Sequence, residues 1–237
     1  MTPASRPHRR ALALAATAIV AVAAAVFVFR QLTPLDDNPP PAVHVPRKPS
    51  LADKSPDELR TALMTQADVP KYLTISTQNK NPEATQSANP SECLPRLLSE
   101  HGQTVVTAHA YAPDFSGMFY DGRYAAELIL RPKEGQRDLV DFAHSWLARC
   151  VSFSVSLTGS AEQYPAYTVP FPADVPGNEG SLGLKVIYAF AKSDPFRNQT
   201  FYWAAVRVRG IDVLVLSGLP GVSEDLAAKA VAKLAEL

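Results

Sequence analysis

The sequence predicts an α+β fold, a mainly antiparallel sheet with helices packed on one face, preceded by one transmembrane helix. Three observations predict it. From Ala11 to Phe29 every residue except Thr17 is apolar. Beyond residue 100, several stretches of Val, Ile, Phe, Tyr and Trp with period-two character follow one another at short intervals. Between and after them, Gln136 to Arg149 and the stretch opening at Ser223 carry apolar residues at helical spacing.

The Ala11–Phe29 run has about the 20-residue length that crosses a hydrocarbon core as a helix. Its alanines contribute little. Leu12, Leu14, Ile19, Val20, Val22, Val26, Phe27, Val28 and Phe29 together favour insertion by roughly 3–5 kcal/mol. Arg6, Arg9 and Arg10 crowd its front, while Arg30 alone borders its back, so the amino terminus is expected in the cytoplasm and the remainder outside. Ala21-Val22-Ala23 and Ala23-Ala24-Ala25 leave a cleaved signal peptide open as the alternative. Against cleavage, the apolar run continues to Phe29 and stops only at Arg30. No cysteine stands near its end to accept a lipid.

Residues 1–30 are thus expected as cytoplasmic tip and signal-anchor, 31–50 as stalk, and 51–237 as one extracytoplasmic domain. Pro34, Pro39, Pro40, Pro41, Pro46 and Pro49 favour extended polyproline II in the stalk. A spacer is the expected role, with a ligand for a proline-binding module as the alternative. The formal net charge of the chain is +0. Six of the 23 basic and two of the 23 acidic residues precede Leu51, leaving 17 against 21, a net of −4. Such a domain repels phosphate backbones, and nucleic acid is excluded as a partner. The membrane, through Ala11–Phe29, and an envelope ligand or protein partner are the expected ones.

The domain opens on a capping box, with Ser55 as N-cap, Pro56 at the first helical position and Glu58 three residues on. Leu59, Ala62, Leu63 and Gln66 continue the helical spacing as far as Pro70. A short strand over Tyr72–Thr77, a polar loop over Gln78–Pro90 and a short helix over Glu92–Glu100 follow. Strands are expected at Thr104–Ala112 and Arg123–Arg131. Leu139, Phe142, Ala143, Trp146, Leu147 and Cys150 form the apolar stripe of the helix between Gln136 and Arg149. Strands over Ser152–Leu157, Leu184–Ala191, Thr200–Arg209 and Ile211–Ser217 come next, the last two joined by a hairpin at Arg209-Gly210. The terminal helix opens at Ser223, with Glu224 and Asp225 at its positive end.

Cys93 and Cys150 are the only cysteines. An even pair in an exported domain predicts a disulfide, two buried thiols being the alternative. Without C-x-x-C spacing the pair does not suggest a redox site, and two sulfurs without arranged histidines do not make a metal site. No nucleophile elbow, H-E-x-x-H helix, P-loop or dinucleotide turn occurs, so no catalytic residue and no cofactor is assigned. His101, His109 and His144 are scattered. The candidate binding residues are Phe115, Met118, Phe119 and Tyr120, in the connection from Ala112 to Gly122, where apolar side chains contact a partner or fold back over the sheet end. Tyr164 to Pro172, aromatic and proline-rich, is expected to be irregular and is a second candidate as a groove wall.

The run Leu63-Met64-Thr65-Gln66-Ala67-Asp68-Val69-Pro70-Lys71-Tyr72 resembles the opening of actinobacterial cell-envelope sensor-like domains. Pro90-Ser91-Glu92-Cys93, the second cysteine after Trp146-Leu147-Ala148-Arg149, and the closing hairpin and helix are similar too. Such domains occur in lipoproteins and as the extracellular sensor of a mycobacterial serine/threonine kinase. The resemblance implies an antiparallel sheet with helices, a cleft and ligand sensing without catalysis. Two departures stand out: the kinase sensor has two disulfides where this chain has cysteines for one, and many relatives are anchored by lipid. A hydrolase or transferase acting on the cell wall, and an envelope assembly factor, are the competing expectations.

Overall fold

The computed structural model describes residues 48–77, 85–114, 123–157, 162–189 and 199–237. They build one nine-stranded sheet, antiparallel at every pairing, in the order β1-β3-β4-β9-β8-β7-β6-β5-β2. The strands are β1 (Thr74–Ser76), β2 (Thr85–Asn89), β3 (Gln103–Tyr111), β4 (Tyr124–Arg131), β5 (Ser152–Leu157), β6 (Gln163–Phe171), β7 (Gly180–Tyr188), β8 (Gln199–Val208) and β9 (Ile211–Ser217). Four helices accompany them: α1 (Pro56–Arg60), α2 (Leu97–Glu100), α3 (Leu139–Arg149) and α4 (Val222–Leu234), with a 3-10 turn at Ser91–Cys93. The α+β class and the antiparallel sheet are as the sequence predicts. No helix of the described residues is long and apolar enough to cross a membrane, and Ala11–Phe29 lie outside those residues.

The helices do not share one face. Along β9, Asp212, Leu214 and Leu216 point to one side and Val213 and Val215 to the other. The Asp212 carboxylate accepts the N–H of Leu139, the first residue of α3, which places α3 on the first side. Glu127, paired with Val215, accepts the Met64 N–H, and Lys233 of α4 donates to Leu63 O and Asp68 beside it. Helix α4 therefore lies on the second side. The reason is in β9 itself, where Ile-Asp-Val-Leu-Val-Leu-Ser is buried throughout. A nearly continuous apolar run needs cover on both faces, whereas strict alternation needs it on one.

Other departures have equally local causes. Helix α1 has the expected capping box but ends at Arg60, because carboxylates replace the helical acceptors that follow. Met64 N–H goes to Glu127, and Thr65 N–H and Oγ1 go to Asp68 at 2.7 Å. The helix expected over Glu92–Glu100 is split, since Pro95 holds Leu94 extended (ψ 117°) between the 3-10 turn and α2. Helix α4 begins one residue early, capped by Gly221 at φ 77°, with Ser223 buried inside it.

Two strands replace expected loops. Thr85–Asn89 pairs with β5 as a polar edge strand, Ser87 Oγ lying 2.8 Å from Ser156 Oγ. Gln163–Phe171 is a full strand despite Pro165 and Pro170. Each proline stands where a neighbour has run out: Pro165 lies opposite Ala189, just past β7, and Pro170 extends beyond Ser152, the first residue of β5. Pro170 therefore needs no partner for its missing N–H, and Pro165 falls on the last rung, where its carbonyl still accepts the Ala189 N–H at 2.9 Å.

The β8–β9 hairpin turns at Arg209 and Gly210, both at positive φ (47° and 86°), as a two-residue hairpin requires. Arg209 then ties in the start of the described chain. Its Nε donates to Pro49 O at 2.7 Å, its Nη1 to Leu234 O at 3.1 Å, and its own carbonyl accepts Leu51 N–H.

Candidate functional site

Strand β6 divides its side chains by alternation. Ala166 and Thr168 turn inward toward α3 and are buried, while Tyr167 and Val169 turn to the opposite face and are 44% and 46% exposed. Register carries that outer face across the sheet. Tyr167 is paired with Ile187, Val169 with Lys185, and Phe171 with Gly183; Lys185 in turn is paired with Tyr202. Helix α4 covers this side of the sheet over β4, β9 and β8; on β6, Tyr167 and Val169 are exposed, and Lys185 and Ile187 of β7 are half-buried beside them.

The face is shaped by one glycine. A Cβ on Gly183 would lie 2.4 Å from Phe171 Cε2, so the absence of a side chain lets the Phe171 ring lie over the β7 backbone. Phe171 then meets Tyr202 edge-on at 6.3 Å, and Lys185 Nζ stands 6.0 Å from the centre of the Tyr202 ring. Toward β5 and β2 the same face becomes polar. Ser152, Ser154 and Asn89 project from it, and Ser154 Oγ donates to Gln163 Oε1 at 3.0 Å.

The inner face is a packed aromatic layer. Tyr188 and Phe201 lie 5.4 Å apart, Tyr124 and Phe201 6.2 Å, and Trp146 of α3 meets Phe153 edge-on at 6.0 Å. Burial, and then the hydroxyls of Tyr188 and Tyr111, push the Tyr124 phenol well above its usual range. Two carboxylates are buried against the helices. Burial lifts Asp212 to about 6 against the Leu139 N–H and Arg207, and Arg207 also reaches Asp138 at 3.0 Å. Burial lifts Glu127 to about 8 against the Met64 N–H and Lys233. Both serve to join a helix or loop to the sheet.

Cys93 and Cys150 form the predicted disulfide, their Cα atoms 5.4 Å apart, joining the 3-10 turn to the end of α3. Phe115, Met118, Phe119 and Tyr120 lie outside the described residues. The histidines stand in separate surroundings. His101 stacks on Phe142 at 3.9 Å with Nε2 2.7 Å from Arg137 O; His109 is half-buried in β3, where burial lowers its pKa; His144 is exposed on α3. Among the described residues no group of acidic, histidine or cysteine side chains is arranged to hold a metal ion. The outer face of β6–β8 was legible only in part: Tyr164–Pro172 carried the aromatic signal, but its prolines concealed the alternation that separates Tyr167 and Val169 from Ala166 and Thr168.

No family model matches this chain, and no curated protein matches it. Among solved structures, the extracellular domain of PknH from Mycobacterium tuberculosis superposes with a TM-score of 0.52, covering 77% of this chain and 97% of that one at 12% identity. The fold is similar to that kinase domain. This is the fold that the sequence resemblance implied. An uncharacterised Mycobacterium smegmatis protein, the ortholog of Rv0999, matches at a TM-score of 0.38 and 14% identity, covering 76% of this chain and 96% of that one.

Proposed function

We propose that this chain is a membrane-anchored, extracytoplasmic, non-enzymatic binding protein of the cell envelope, sensor-like in presenting a ligand- or partner-binding face on a rigid sheet. The observation that carries the proposal is the outer face of β6, where Tyr167 and Val169 are exposed, with Phe171 and Tyr202 half-buried beside them. Isolated exposed apolar residues are ordinary, but aromatic and branched side chains held side by side on one sheet face mark a contact surface. The disulfide suits an oxidising compartment, and the similar PknH domain is described as extracellular. The Ala11–Phe29 run behind Arg6, Arg9 and Arg10 supplies the anchor and its orientation.

The test is co-sedimentation of the detergent-solubilised full chain with washed cell-envelope fragments. Replacing Tyr167 and Tyr202 together by Ser is expected to lower retention at least tenfold. Tyr72→Ser, at an exposed residue before β1, is the control and retains binding. Equal retention of the double variant and the parent chain sinks the proposal.

A further inference from the structure

We propose that the outer face of β5–β8 binds a polysaccharide, an inference resting on the binding role above and naming the chemistry of its ligand. The face has two halves of different character. On β6–β8, Tyr167, Phe171 and Tyr202 provide aromatic surface, with Gly183 clearing the space that one ring occupies. On β5 and β2, Ser152, Ser154 and Asn89 provide small hydroxyl and amide groups on the same side. Sugar rings have both characters. Their axial C–H faces lie against the electron-rich faces of aromatic rings, and their hydroxyls exchange hydrogen bonds with serine and amide groups. Neighbouring strands are about 4.8 Å apart, so β5 to β8 spans roughly 14 Å, room for a few linked sugar units.

Charge narrows the choice. The domain from Leu51 onward carries a net −4, yet Lys185 is the only charged side chain that register places on this stretch of face between β5 and β8, and it sits against Tyr202. With one cation and no carboxylate among the described residues here, neutral and acidic sugar polymers are accepted and cationic partners gain nothing. A protein partner is the poorer fit, since serine-rich surface is depleted at the cores of protein interfaces. A lipid surface would leave the serine half against hydrocarbon without partners.

The experiment uses the full chain in detergent with washed envelope fragments in three forms: untreated, periodate-oxidised and quenched, and protease-digested. Periodate cleaves vicinal diols and so destroys sugars while sparing most of the polypeptide and lipid. Expected are a tenfold or greater loss of retention on oxidised fragments, full retention on digested ones, and a threefold or greater loss for Ser154→Ala on untreated ones. Thermal midpoints matching the parent chain identify the variants that remain folded. If retention depends on Tyr167 and Tyr202 yet survives periodate, or is abolished by protease digestion, the polysaccharide is overturned while the binding face stands. If retention is indifferent to both tyrosines, the binding face itself falls.

Discussion

Glu127 is a carboxyl whose chemistry the fold alters strongly. It is 1% exposed, its Oε2 accepts the Met64 N–H at 2.6 Å, and its Oε1 has no hydrogen-bond partner. Nearby, Lys233 is committed to Asp68 Oδ2 at 2.7 Å and Leu63 O at 2.9 Å, and so neutralises Asp68 instead. Burial therefore dominates, and the carboxyl rises from 4.5 to about 8. The linkage sign follows from the folded state holding its proton longer than the unfolded chain. The stability this proton confers is complete below about pH 4.5 and is lost as pH rises to about 8. The expected loss is on the order of 3–5 kcal/mol. Glu127→Gln keeps the shape and cannot ionise, so its denaturation midpoint should equal the parent's near pH 4.5 and exceed it increasingly up to pH 9. Parallel curves across that range would place the charge elsewhere.

At the scale of elements, the disulfide is the most consequential link. It closes a separation of 57 residues and fastens the 3-10 turn to the end of α3, an 11-residue helix that lies across β7 and β8. Replacing both cysteines by serine is expected to destabilise the fold by roughly 4 kcal/mol, read as a lower denaturant midpoint that reductant no longer shifts. This link was legible in the sequence, as were α3, β5, β9 and the Arg209-Gly210 hairpin, because each rests on a local pattern. What escaped depended on distant partners. The end of α1 is set by Glu127, more than sixty residues away, and by an Asp68 that α4 holds in place. Strand β6 was hidden because its prolines are tolerated only where β5 and β7 end, a matter of register. The second helical layer was missed although β9 reads as a nearly continuous apolar run, buried throughout, which needs cover on both faces. The candidate face shared that fate: its aromatic members come from two strands, β6 and β8, and only pairing through β7 brings them together.

At the scale of the whole molecule, the proposal turns on which side of a membrane the sheet stands and whether it stays attached. The proposed envelope ligand is met only outside the cytoplasm, where a disulfide such as Cys93–Cys150 also persists. The sequence offers two ways to export it. An uncleaved Ala11–Phe29 helix holds the domain at the surface, whereas cleavage after an Ala-x-Ala site releases it. A short epitope placed before Arg6 separates the two. With the anchor intact, epitope and domain migrate as one band, remain in the membrane pellet after alkaline carbonate washing, and only the domain is reached by protease added to whole cells. Cleavage predicts instead a domain without the epitope in the wash. The arginines give a second handle on the same question. Changing Arg6, Arg9 and Arg10 to Glu leaves Arg30, Arg47 and Lys48 as the only positive charges flanking the helix, which removes the bias that retains the front end inside. The protease-accessible fraction of the domain should then fall severalfold, while its association with the membrane persists. An unchanged accessible fraction would mean that something other than flanking charge orients the chain.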